Sequence, residues 1–301
     1  MTIPTIVTLS SIPPRFEHLW LTLLSLLNQS VKVDEIRINI PRSYRRFADW
    51  DGTLPSVPEG VSIHRVDEDH GPATKVLPTI RELRGQNVHV LFCDDDRIYP
   101  RHWHASFKRA AAARPETCIV GIGETFPDIA DSCRAPDRLP RGHYGKKGLS
   151  YRLKELAGLF LIKPAYPVKS GYVDQLSGFA GVLVKPDWFD DLVHAIPDDM
   201  WMVDDPWLSG HLERRGIPIW MDASIGRPGF AESDRIHALL DMEEIGHSRI
   251  AADIRVIDYF RCRYGIWQKC GAVDGDVRHR FGTMRELARL RQEELAQNQK
   301  D

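Results

Sequence analysis

Apolar residues recur in the first 120 positions with two alternating spacings, those of a strand and those of a helix. Ile3 to Leu9 is a short β-branched run closed by the Pro13-Pro14 punctuation. Phe16 to Leu27 is Leu-rich with helical spacing, and Glu35 to Ile40 alternates polar and apolar residues as a strand does. Val61 to Val66 predicts a third strand, and Ala73 to Leu83 another helix. Asn87 to Cys93 is an apolar run that ends abruptly in three aspartates. His102 to Ala113 predicts the next helix and Cys118 to Ile122 the next strand. Such alternation predicts a mainly parallel sheet with helices on both faces. Ligands gather beyond the carboxyl ends of the strands in these sheets, and the aspartates fall there.

From about Gly123 to Gly171 the pattern weakens into Gly, Pro and basic residues, as a long connection or mobile insertion would. Regularity returns at Phe179 to Val184, at Asp205 to Arg215 with helical character, and at Ile217 to Met221. Met284 to Gln299 is Arg/Glu/Leu-rich and predicts a C-terminal helix that projects or packs on a partner. No repeat is present. The chain therefore reads as one α/β domain over 1–270, divided into halves 1–125 and 126–270, with a helical tail over 271–301.

Composition narrows the function. Hydrophobic residues at 43% supply a core, which excludes disorder over most of the 301 residues. Lys plus Arg number 40 against 42 Asp plus Glu, so the basic excess of a nucleic-acid binder is missing. The five cysteines (Cys93, Cys118, Cys133, Cys262, Cys270) are widely separated without a C-x-x-C pair. That argues against a disulfide framework or a thiolate zinc site and predicts a reducing, cytoplasmic setting. No signal peptide or run of about 18 apolar residues is visible, so no membrane span is expected. The basic stretch from Arg141 to Lys154 is either a solvated loop, a cover over a bound substrate, or a contact with anionic lipid at the inner face of a membrane.

The chemistry concentrates at Asp94, Asp95 and Asp96. Three adjacent carboxylates repel, and burying them unpaired would cost several kcal/mol or force protonation. A cation at the strand end would relieve this, and an all-oxygen donor set suits Mg²⁺ or Mn²⁺. Asp94 and Asp96, two apart, can turn to one side of an extended segment. A solvated acidic turn is the alternative.

An apolar strand ending in Asp94-Asp95-Asp96 resembles the DxD motif of GT-A glycosyltransferases. The opening segment Thr8-Leu9-Ser10-Ser11-Ile12-Pro13-Pro14-Arg15-Phe16, followed by a helix ending in Leu26-Leu27-Asn28-Gln29-Ser30, resembles the family 2 type, over about residues 3 to 225. The resemblance implies a GT-A, Rossmann-like fold and a nucleotide-diphosphate sugar lying across the strand ends, with a UDP-sugar expected. It implies Mn²⁺ or Mg²⁺ on Asp96 and Asp94, with Asp94 alternatively touching the ribose or a metal-bound water. Thr8, Ser10, Arg15, Asp69, Lys75, Asp95 and Gly181 would complete the donor site: Asp69 at ribose or base, Lys75 at the phosphates or uracil, Arg15 at the diphosphate, and Gly181 in a Gly-rich segment that admits the sugar. Asp95 can instead point into the fold.

In Trp201-Met202-Val203-Asp204-Asp205-Pro206-Trp207, the paired aspartates look like the acidic pair that supplies the acceptor base in inverting GT-A enzymes. Asp205 is the better candidate and Asp204 the second. Both could instead cap the helix that begins at Pro206. Trp201 and Trp207 are the candidate acceptor platforms. His237 and His247 are candidates for a third metal ligand, and Arg249 could hold the diphosphate. The implied activity is hexosyl or N-acetylhexosaminyl transfer to a hydroxyl of a glycan, lipid-linked or protein acceptor, with inversion preferred. A retaining transferase and a non-catalytic, transferase-like subunit of a polysaccharide assembly complex are the alternatives. A sugar-phosphate nucleotidyltransferase is disfavoured because the loop after the first strand lacks Gly, and a haloacid-dehalogenase pattern fails at Ile98.

Overall fold

A computed structural model describes residues 3–144, 168–231, 233, 236, 243–244, 247–273 and 282–298. Eight strands form the central sheet: β1 (Thr5–Ser10), β2 (Glu35–Pro41), β3 (Ser62–Val66), β4 (His89–Phe92), β5 (Cys118–Val120), β6 (Gly171–Val173), β7 (Val182–Val184) and β8 (Ile219–Met221). Their order is β6-β8-β5-β7-β4-β1-β2-β3. β1 pairs in parallel with β2 and β4, β2 with β3, and β8 with β5. β7 runs antiparallel between β4 and β5, and β6 antiparallel along β8. The sheet is thus mixed, and the two strands that run against the others, β6 and β7, both come from the second half of the chain.

Helices cover both faces. α1 (Trp20–Leu27) and α3 (Trp103–Ala113) pack on one; α2 (Leu77–Glu82), α4 (Asp205–Arg214), α5 (Arg249–Tyr264) and α6 (Gly282–Gln297) pack on the other. β4 shows why its sequence reads as a continuous apolar run. Val90 and Phe92 face the α2/α4 side, Leu91 and Cys93 the α1/α3 side, and all four are fully buried. Each face of a central strand has its own core.

Three features differ from the sequence expectations. The sixteen-residue α5 was not anticipated. α6 packs on the chain itself: Met284, Leu287 and Ala288 are buried, and Thr283 Oγ1 donates to Asp253 Oδ2 of α5 at 2.7 Å. Cys133 and Cys270 form a disulfide across 137 residues, beside the Ile129–Cys270 β-bridge, a pairing that the argument against a disulfide framework did not anticipate. Cys93 and Cys118 are free and buried, and Cys262 is free and exposed. The basic stretch begins on a buried residue, since Arg141 Nη2 lies 2.7 Å from Asp174 Oδ1. Residues 145–154 lie outside the described ones. No described helix is long and apolar enough to cross a membrane.

Candidate active site

The triple aspartate follows β4 and turns sharply, pinned by Tyr99. Asp94 N donates to Tyr99 Oη at 3.0 Å, and that hydroxyl also lies 3.2 Å from Phe179 O. Asp95 points into the fold, where Arg15 Nη1 reaches Oδ1 at 2.7 Å and Ser11 Oγ donates to Oδ2. Thr22 Oγ1 holds its carbonyl at 3.0 Å. Asp95 therefore ties the loop after β1 to α1, while Asp94 and Asp96 make their contacts with Lys75, Arg15 and Arg97 at the cavity. Arg15 continues to Asp96 Oδ2 at 3.2 Å and donates through Nε to Ile236 O at 2.8 Å. Arg97 Nε lies 3.3 Å from Asp96 Oδ1. Burial, together with Asp94 and Asp95, pushes Asp96 up to about 7 against the pull of Arg97 and Arg15.

Lys75 closes the 3-10 turn Gly71–Lys75 after β3 and is buried. Its Nζ lies 2.6 Å from Asp94 Oδ1 and 2.8 Å from Asp204 Oδ2. Burial alone would lower its pKa, but Asp204, Asp94 and Asp205 outweigh that and hold it well above the ordinary lysine value. Burial likewise works to raise Asp94, and Lys75 reverses it, leaving that carboxyl below its usual range.

One lysine therefore joins two acidic motifs separated by more than a hundred residues. Asp204, 2% exposed, has a structural place in that bridge. Asp205 is the less buried of the two, and Gly178 N donates to its Oδ1 at 2.9 Å. Burial and the neighbouring Asp204 push its pKa up to about 7, against Lys75 and Arg249.

These groups line one cavity of about 920 Å³. Ser10, Arg15, Asp69, Lys75, all three aspartates, Trp201, Asp204, Asp205 and Arg249 border it. Others differ in detail. Asp69 accepts from Gly71 N at 2.9 Å and Arg45 N at 2.8 Å, so both its oxygens organise the local turn. Trp201 donates Nε1 to Asp69 O at 2.9 Å and carries Arg45 over its ring, making it a fixed wall of the cavity. Trp207 is 1% exposed, donates to Val193 O and packs on Phe260; it is a core residue and not an acceptor platform.

Thr8 is fully buried, donates to Lys75 O at 2.8 Å and is not among the residues lining the cavity, so it supports the lysine backbone from beneath. Gly181 has φ +97°, and a Cβ there would lie 2.4 Å from Trp103; its smallness serves that indole rather than a sugar. The close approach to the site belongs to Gly178, where a Cβ would meet Lys75 Nζ at 2.5 Å. His237 lies outside the described residues. His247 stands in the two-residue strand His247–Ser248 just before α5. Sequence reading missed Arg97, Glu124, Gln175, Phe179, Arg227, Phe230, Asp253 and Arg285 as cavity residues. Only Arg97, adjacent to the triplet, carried a local signal.

Two observations bear on a divalent cation. Asp96 Oδ1 is buried and makes no hydrogen bond among the described residues, its ion-pair partner Arg97 Nε standing 3.3 Å away, and burial with the negative charge of Asp94 and Asp95 raises the pKa of this carboxyl. The donor set thus suits a hard cation. Among the described residues no three His, Cys, Asp or Glu side chains converge on one point, so Asp94 and Asp96 would need oxygens from a ligand or water to complete coordination.

No protein-family model matches the chain, and no curated protein matches it. Among solved structures, the crystal structure of 4-diphosphocytidyl-2C-methyl-D-erythritol synthase is similar at 12% identity, covering 77% of this chain and 96% of that chain, with a TM-score of 0.39. At that score the likeness carries no argument about the site.

Proposed function

We propose that the protein is a glycosyltransferase of GT-A type that moves a sugar from a nucleotide-diphosphate donor to a hydroxyl acceptor with inversion. The observation carrying this reading is the convergence of Asp94–Asp96 and Asp204–Asp205 on one cavity through the shared cation of Lys75. A base beside a leaving-group site is what direct displacement requires.

In this reading the diphosphate lies over the strand ends, within reach of Arg15, Arg97 and Arg249. Arg249 fits the role because its charge survives burial: Asp253, Asp205, Asp204 and Asp94 outweigh desolvation and raise its pKa. Asp94 and Asp96 would hold Mn²⁺ or Mg²⁺, which supplies charge stabilisation for the departing nucleoside diphosphate. Asp205 accepts the proton of the attacking hydroxyl through the carboxylate not fully committed to Gly178. The acceptor oxygen forms a bond to the anomeric carbon as the bond from that carbon to the phosphate oxygen breaks. The leaving group departs with the electron pair, and the proton resides on Asp205. A base with a pKa of about 7 suits transfer near neutral pH.

The test is a panel of nucleoside diphosphates and their sugars, with and without Mn²⁺, read by thermal shift and by sugar transfer. A matching donor raises the melting temperature by mass action. Asp94→Asn with Asp96→Asn abolishes both the metal-dependent shift and transfer. Transfer that is unchanged in this double variant overturns the assignment of Asp94 and Asp96, and wild-type protein that transfers sugar from none of the donors favours the non-catalytic alternative.

A further inference from the structure

The cavity has a further wall that the donor reading leaves unused. It is built by the short antiparallel pair Gly123–Glu124 and Gln175–Leu176, in which Glu124 stands opposite Gln175. Alternate residues of an extended chain point to opposite sides. Leu176 is fully buried in the core, while Gln175 and Ser177, two apart, border the cavity together with Glu124.

This wall is coupled to the candidate base. Leu176 N donates to Ser209 Oγ at 3.0 Å, and Ser209 Oγ donates to Asp205 O at 2.6 Å. Gly178, on the same segment, donates to Asp205 Oδ1. Gln175 and Asp205 therefore hold a defined relation through the first turn of α4.

Gln175 is 8% exposed, and its Oε1 has no hydrogen-bond partner among the described residues. A buried amide oxygen left without a donor costs about 1–3 kcal/mol, so such a group at a cavity wall calls for a ligand that supplies one. Glu124, 3% exposed, sets a carboxylate beside it. A carboxylate accepts from hydroxyls and repels phosphates and carboxylates. An amide both accepts and donates. Side by side they match a pair of neighbouring hydroxyls on one ring, each hydroxyl donating to one oxygen.

We infer that Glu124 and Gln175 form the acceptor subsite and that the sugar residue they hold is uncharged, read through a vicinal pair of hydroxyls. The inference rests on the transfer reaction proposed above and names its acceptor class. Glu124 selects against an anionic ring at this position, and Gln175 fixes the ring relative to Asp205.

The experiment uses the full chain with its disulfide intact. Binding of methyl hexopyranosides and of methyl hexuronides is measured by saturation-transfer difference NMR both with and without UDP and Mn²⁺, alongside UDP binding by calorimetry. Wild-type protein is expected to bind at least one neutral glycoside and none of the uronides. Gln175→Leu and Glu124→Gln are expected to weaken that binding by about tenfold or more, the equivalent of 1.4 kcal/mol. UDP affinity is expected to be unchanged in both, which also reports that they are folded. Glu124→Gln is expected to gain measurable uronide binding. Equal glycoside affinity in wild type and both variants overturns the inference, as does uronide binding by the wild type or the absence of any neutral glycoside binding. Failure of UDP to bind any of the proteins strikes the donor reading instead, because the glycoside signals are measured separately, with and without nucleotide.

Discussion

Lys75 Nζ lies 2.8 Å from Asp204 Oδ2 with both side chains buried, so the turn after β3 and the start of α4 are locked by one ion pair. Removing one partner of a buried pair leaves the other charge uncompensated, at about 3–5 kcal/mol. Lys75→Met is expected to destabilise by that order, because it strands both Asp204 and Asp94. Adding Asp204→Asn to Lys75→Met is expected to recover part of the loss. Urea denaturation of the two singles and the double measures this; strictly additive effects would refute the coupling.

Asp205 carries the pH dependence. As the base it must be ionised, so kcat/KM is expected to fall with unit slope as pH drops below about 7. Asp205→Asn is expected to lose about 10²–10⁴-fold in kcat while retaining donor binding. A pH–rate profile unaltered by this substitution would reassign the base.

The same carboxyl predicts a stability trend of opposite usefulness. Its folded pKa is raised to about 7, well above the ordinary aspartate value, so the folded state binds the proton more tightly than the unfolded chain. Its contribution to stability is complete below the unfolded pKa and is lost as pH rises through about 7. Wild type is therefore expected to lose stability between about pH 4 and pH 8 relative to Asp205→Asn. Chemical denaturation of both proteins across that range checks the sign.

Two glycines three residues apart are expected to fail differently. A Cβ at Gly181 would sit 2.4 Å from Trp103 at φ +97°, so Gly181→Ala is expected to cost about 1–3 kcal/mol of stability. A Cβ at Gly178 would press on Lys75 Nζ at 2.5 Å and Asp205 Oδ1 at 3.2 Å. Gly178→Ala is therefore expected to reduce kcat more than a stability-matched Gly181→Ala does. Melting temperature and transfer rate, measured in parallel, separate the two.

The Cys133–Cys270 bridge closes 137 residues of chain. Reduction, or Cys133→Ser with Cys270→Ser, is expected to lower stability by about 2–4 kcal/mol. Thiol titration of the denatured, unreduced protein is expected to find three free thiols, those of Cys93, Cys118 and Cys262. Five would refute the pairing.

What was legible in the sequence was local. β4 is readable because both of its faces are buried, giving an unbroken apolar run, and the aspartates after it are readable because like charges at a strand end demand an explanation. The paired aspartates before Pro206 announce the helix start at Asp205. α5 was missed because Arg249–Tyr264 mixes charges among its apolar positions, and its Asp253 and Arg261 are themselves buried in ion pairs or hydrogen bonds. Trp207 and Trp201 look alike as flanking aromatics, yet one fills the core against Phe260 and the other walls the cavity.

The amino-acid sequence by itself determined the alternation of strands and helices, the place of the acidic triplet at a strand end, and Asp205 at a helix start. Spacing and local repulsion act between near neighbours, which is why these were visible. Only the tertiary structure decided that Lys75 joins Asp94 to Asp204, that Thr8 and Gly181 serve Lys75 and Trp103, that Cys133 meets Cys270, and that Glu124 stands beside Gln175. Those partners lie far apart along the chain, and burial, charge pairing and close approach depend on which distant residue the packed sheet brings alongside.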